Sequence, residues 1–194
     1  LTLLIGREKG LSVKEGKQIA KELSELPAVL EKYLKNIDDV KAAAKKYAGY
    51  NNAMFIGRKL HTPIAYEGSL KLKEVTYIHA EAYAGGELKH GSIALLDENF
   101  PIIALVPQDD VYEKMVSNIE EAKARKAPVL AIATSGDIQI KAVADDVLYI
   151  PKVHPILQPI VSTIPLQLLA YYIGVEKGLN VDRPRNLAKS VTVE

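Results

Sequence analysis

Apolar residues recur at helical spacing over the first fifty positions, then give way to short continuous apolar runs separated by helix-length segments. Residues 13–36 are rich in Lys, Glu, Leu and Ile at that spacing. Proline belongs only in the first turn of a helix, so Pro27 predicts two short helices that break at Leu26. Residues 37–50 predict a third helix with Val40, Ala43, Ala44 and Tyr47 on one face. NNAMFIG at 51–57 is a short apolar run bounded by Asn-Asn and Gly, the pattern of a buried parallel strand, and PIIALV at 101–106, PVLAIA at 128–133 and VLYI at 147–150 read the same way. Residues 63–77, with proline in the first turn, and 109–126, with Val111, Met115, Ile119 and Ala122 inward, predict helices; Asp110 and Glu113 are spaced for an acidic capping box. The short apolar stretch HAEAYA follows the first of these, and a long apolar helix over 156–176 closes the core. Strands spaced by helix-length segments imply right-handed crossovers and a sheet covered on both faces. The expected fold is α/β: a flavodoxin-like three-layer α/β/α sandwich with a mostly parallel sheet, preceded by a helical lead-in (1–50) and followed, after an α/β domain at 51–178, by an irregular tail (179–194).

Composition narrows the function classes. A hydrophobic content of 48% in 194 residues fits one well-buried domain. Lys plus Arg at 25 against Asp plus Glu at 24 leaves +1, with no long run of one sign, so there is no electrostatic case for nucleic acid. The absence of cysteine removes disulfide and thiolate chemistry, and without a secretory apolar region at the start the cytoplasm is the default compartment. The chain opens LTLLIGREKG, without methionine, which reads as a segment cut from something longer. Residues 155–175 carry no charge and number about 20, enough to span a bilayer. Pro159, Pro165, Gln158, Gln167, Ser162 and Thr163 interrupt them and no basic cluster flanks them, so a buried core or interface helix, and no membrane, is expected. No G-x-G-x-x-G, P-loop or metal-ligand spacing occurs, so neither a nucleotide cofactor nor a metal is expected.

The candidate chemistry lies in residues 63–91, PIAYEGSLKLKEVTYIHAEAYAGGELKHG. On a helix, Glu67, Lys71 and Glu74 fall within an arc of roughly 60°, beside an apolar stripe of Ile64, Gly68, Leu72 and Val75. From such an arrangement a sheltered acid and base can be built. Glu67 and Lys71 at i, i+4 are also an ordinary surface pair, worth roughly 0.2–0.5 kcal/mol. In open parallel sheets ligands sit outside the carboxyl ends of the strands, and the amino end of this helix faces that crevice. After PIIALV come Asp109 and Asp110, whose charge would repel a phosphate from the next helix start. The tail NVDRPRNLAKSVTVE, taken alone, is an irregular basic C-terminus.

GELKHG at 86–91, the EGSLKLKE helix, the PLQLLAYYIG helix and the terminal DRPRNLAKSVTVE together resemble the glutamine:fructose-6-phosphate amidotransferases, over the C-terminal half of their isomerase part. The resemblance runs from the helical lead-in to Glu194. It implies a sugar-isomerase (SIS) domain, the second of two, in a homodimeric enzyme that also carries an N-terminal glutaminase and turns fructose 6-phosphate and glutamine into glucosamine 6-phosphate and glutamate. It assigns Glu74 as the proton-shuttling base, Lys71 as the lysine lining the sugar site, and His90 as the ring-opening histidine given to the partner subunit's site. Lys189 matches the Schiff-base lysine, and Arg185 and Ala188 match positions that shape the tail over the site and the ammonia path. The residue types suit these roles: an imine is a better electron sink than a ketone, and opening a hemiketal needs a group that takes and gives a proton near pH 7. His61, His79 and His154 have no such context and read as structural or exposed.

Two departures stand out. Ser92 replaces the proline usual after the His-Gly pair, which bears on the local loop. The Ser/Thr-rich phosphate loop of the first SIS domain and the glutaminase cysteine have no counterpart, so this stretch is expected to show little activity alone. A phosphosugar isomerase or deglycase, and a phosphosugar sensor without turnover, are the other readings. A sensor would have no use for the Schiff-base lysine.

Overall fold

The computed structural model describes residues 1–187. In chain order it contains α1 (Thr2–Glu8), α2 (Val13–Leu34), α3 (Asp38–Tyr47), β1 (Asn52–Gly57), α4 (Thr62–Thr76), β2 (His79–Ala84), β3 (Ile102–Val106), α5 (Tyr112–Lys123), β4 (Val129–Thr134), β5 (Asp146–Ile150) and α6 (Gln158–Glu176). The five strands form one parallel sheet in the order β2-β1-β3-β4-β5. This is the three-layer α/β sandwich that the strand spacing predicts.

Period-2 alternation along the strands sorts the core into two halves. Ala53, Phe55, Ile103, Leu105, Leu130 and Ile132 face one layer, with α3, α4, α6 and Leu26 of α2. Met54, Ile56, Ile102, Ala104, Val129 and Ala131 face the other, where Met115, Ile119 and Ala122 of α5 cover them. All four residues expected on the inner face of α3 are buried.

Two local expectations give way. Pro27 does not break the lead-in, because α2 runs unbroken through it. Ile19 and Leu26 are buried and Leu30 and Tyr33 pack on the core, so one apolar face on both sides of the proline is held to the same surface. That packing offsets an interior-proline cost of about 3 kcal/mol. The start of α5 has no capping box: Val111 is the N-cap, the Asp109 carboxylate accepts the Val111 N–H at 2.9 Å, and Asp110 pairs with Lys59. A complete box instead opens α2, where Ser12 and Glu15 satisfy each other's backbone N–H groups. HAEAYA, only a short apolar stretch by its sequence, is a full strand, pairing with β1 along its length at the sheet edge.

Candidate active site

Helix α4 carries the charged strip, and its register is set from below. It lies on β1 and β2 and against α6. Gly68 allows the close approach, since a Cβ there would lie 2.8 Å from Leu166 Cδ1 and 2.9 Å from Phe55 Cδ1. With Ala65, Gly68, Leu72 and Thr76 buried, Glu67, Lys71 and Glu74 are turned to the outer flank. There Lys71 Nζ donates to Glu74 Oε2 at 2.6 Å and stands 4.0 Å from Glu67 Oε1, while the Gln167 amide reaches Glu67 Oε1 at 3.4 Å from α6. The Lys71 and Glu74 side chains are 31% and 28% exposed, so the pair is partly sheltered yet open to a second surface. The hydrogen bond to Glu74, aided by the charges of Glu74 and Glu67, pushes the Lys71 amine up, which keeps it charged.

Helix α4 runs back along the sheet, so Glu74, twelve residues beyond its start, lies about 18 Å down the helix axis from the carboxyl edge of the strands. At that edge, between β1 and β3 where the strand order reverses, is a separate cavity of about 150 Å³ lined by His61, Pro107, Asp109, Thr134 and Gln158 among others. The crevice that the helix start faces therefore does not contain the acid–base pair. His61 is buried there with Nε2 3.1 Å from Ser162 Oγ. Burial pushes its pKa down, against a smaller upward pull from Asp109. His79 is exposed and His154 half-buried. Among the described residues no group of three acidic or histidine side chains is placed to hold a metal ion.

His90 ends a single 3-10 turn, Leu88–His90, and is exposed, while Leu88 beside it is fully buried and anchors the turn. Glu74 precedes the first residue of β2 by five positions and His90 follows its last by six. A strand of this length, roughly 17–20 Å, lies between them, so one chain does not bring the two together. Tyr77, the C-cap of α4 in the left-handed conformation (φ 61°), receives the tail: its hydroxyl oxygen accepts the Arg185 N–H at 2.7 Å and the guanidinium lies 4.1 Å over its ring. Ala188 and Lys189 lie outside the described residues. Tyr77 and Gln167 escaped the sequence reading. A left-handed C-cap normally advertises itself as Gly or Asn, and the Gln167 contact spans 100 positions.

With this geometry in view, the SIS domain family matches residues 46–176. The chain belongs to the SIS-domain family. The SIS core carries both α4 and the His90 turn, and the amidotransferase resemblance read from GELKHG and the tail holds across the whole chain. The glutamine–fructose-6-phosphate aminotransferase (isomerizing) of Thermus thermophilus is 51% identical over 195 aligned residues, covering 100% of this chain and 32% of its own length. The Aquifex aeolicus enzyme of the same name is 47% identical over 95% of this chain and 32% of its own. Among solved structures, the C-terminal domain of glucosamine-fructose-6-phosphate aminotransferase from Francisella tularensis superposes with a TM-score of 0.87 at 38% identity, covering 94% of this chain and 52% of that one. The SIS chain thus spans about a third of the length of the curated relatives it matches. No helix among its described residues is long and apolar enough to cross a membrane.

Proposed function

We propose that this SIS chain works as the C-terminal half of the isomerase part of a glutamine–fructose-6-phosphate aminotransferase, in a cytoplasmic homodimer of the hexosamine route. The observation that carries the reading is the Lys71–Glu74 pair, 2.6 Å apart on a flank that stays open to another surface. A proton shuttle between adjacent carbons needs a carboxylate beside the sugar, and the Lys71 amine, hydrogen-bonded to Glu74 from one turn away, fixes where that carboxylate points.

In this reading Lys189 condenses with C2 of the open-chain ketose, forming an imine and releasing water. Ammonia from the upstream glutaminase adds to C2 and expels the lysine amine. Glu74 then takes a proton from C1 of the resulting C2 imine and returns it to C2, while the O1 hydroxyl proton passes to nitrogen, giving the 2-amino aldose. Arg185, seated on Tyr77, and Ala188 guide the tail over the sugar. His90 serves the partner subunit, opening the ring there. The upstream SIS domain supplies the phosphate grip. This chain's equivalent helix start is occupied by its own Asp109 carboxylate, which supports that division.

The test uses the parent-length enzyme. Glu74→Gln is expected to slow solvent-deuterium exchange at C1 by about 10²–10⁴-fold while fructose 6-phosphate binding, measured by calorimetry, is retained. Undiminished exchange would overturn the assignment.

A further inference from the structure

The loop that carries His90 is held by a line of four polar side chains drawn from three elements. Arg58, just past β1, donates from Nε and Nη2 to Asn118 Oδ1 at 3.1 and 2.9 Å. Asn118 is buried in α5 and passes the line on, its Nδ2 donating to Glu121 Oε2 at 3.2 Å. Glu121 Oε1 meets Lys89 Nζ at 2.5 Å, and Lys89 is the neighbour of His90. Burial pushes the Glu121 carboxyl up, but hydrogen bonds from Lys89 and Asn118 outweigh that and hold it below the ordinary range.

The loop backbone rests on the same guanidinium. Gly85 donates its N–H to the Gly57 carbonyl at 2.8 Å, and a Cβ at Gly85 would stand 2.7 Å from Asn118 Oδ1, 3.0 Å from Met115 Sδ and 3.3 Å from Arg58 Nε. Gly86 lies over the far side of the group, its Cβ position 3.5 Å from Arg58 Nη1. The two glycines of GGELKHG therefore make room for Arg58 beneath the loop. A bidentate arginine on one buried amide oxygen sets direction as well as distance, which a lysine would not reproduce.

We infer that Arg58, acting through Asn118, Glu121 and Lys89, is a positioning residue for His90. The brace fixes the path of residues 85–91 so that an exposed imidazole, on a single 3-10 turn, is offered at a set angle to a site on another subunit. The inference rests on the reading that His90 works in the partner's site, and the experiment separates the two.

In the parent-length enzyme, Arg58→Lys is expected to lower kcat about 10–100-fold, the scale of a small misplacement of a catalytic group. Glu121→Gln, which keeps the size and spares the core, is expected to move kcat in the same direction. Subunit mixing then asks through which site Arg58 acts. Glu74→Gln mixed with His90→Ala should recover about a quarter of wild-type activity, since half the randomly formed dimers hold one intact composite site. Arg58→Lys mixed with Glu74→Gln should recover the same fraction, and Arg58→Lys mixed with His90→Ala should recover none. Rescue of Arg58→Lys by His90→Ala subunits, with no rescue by Glu74→Gln, overturns the inference and leaves the shared site standing. Absence of rescue in the Glu74→Gln and His90→Ala control overturns the shared-site reading itself. Wild-type kcat in both Arg58→Lys and Glu121→Gln removes the brace from the mechanism.

Discussion

His61 shows what sequence context leaves open at a single residue. It reads there as structural or exposed, and the fold buries it against Ser162 with its pKa pushed down by burial. A consequence follows for stability against pH. Between the depressed folded pKa and the unfolded value near 6.5, the unfolded chain binds more protons than the native one. Stability therefore falls as pH drops below about 6.5 and levels off once the folded imidazole is protonated too. His61→Asn is expected to flatten this limb in thermal melts at a series of pH values, even if it lowers the melting temperature at every pH. An unchanged slope would place the acid sensitivity elsewhere. Glu74 and Lys71 are the opposite case. Helical spacing alone puts them, with Glu67, on one flank, and the fold adds the 2.6 Å Lys71–Glu74 distance and the partial burial of the pair.

At the scale of elements, α4 and α6 form the joint that carries the site, and Gly68 sets its closeness. Gly68→Ala keeps helix propensity but drives a methyl into Leu166 and Phe55. The expected result is a loss of about 1–3 kcal/mol in denaturant unfolding, despite alanine being the better helix former. Gly68 lies in the apolar stripe predicted beside the charged strip, so its face was legible while its tight contact was not. Elements with a clear period were read well: the four apolar runs are strands, and the inner faces of α3 and α5 are those the spacing names. What went astray or stayed open was decided by partners. Pro27 marks a break by local rules, but Leu26, Leu30 and Tyr33 hold α2 to the core across it. HAEAYA reads only as a short apolar stretch, with no element assigned; pairing with β1 at the sheet edge makes it a strand.

At the scale of the whole molecule, Glu74 and His90 do not meet among the described residues. Glu74 and His90 lie at opposite ends of β2, and the cavity at the strand-order switch contains neither. The proposed function accounts for this separation by a site shared with other surfaces. The isolated chain is expected to form no measurable glucosamine 6-phosphate from fructose 6-phosphate and ammonia in a product assay under conditions where the parent-length enzyme does. Turnover by the isolated chain at the parent rate would mean that the flank of α4 is sufficient by itself.

Short continuous apolar runs and helical periodicity, together with the unusual segments GELKHG and DRPRNLAKSVTVE, were enough to determine the α/β sandwich, the family and the chemical types on the strip. These features are local: they depend on which residues follow one another and on the regular geometry of helix and strand. The tertiary structure alone decided the edge strand, the unbroken α2, the burial of His61, the separation of Glu74 from His90 and the brace from Arg58 to Lys89. Each of these is fixed by contacts between distant segments, Arg58 and Asn118 being 60 positions apart, and their energies come from packing and from the burial of paired polar groups, which local spacing does not encode.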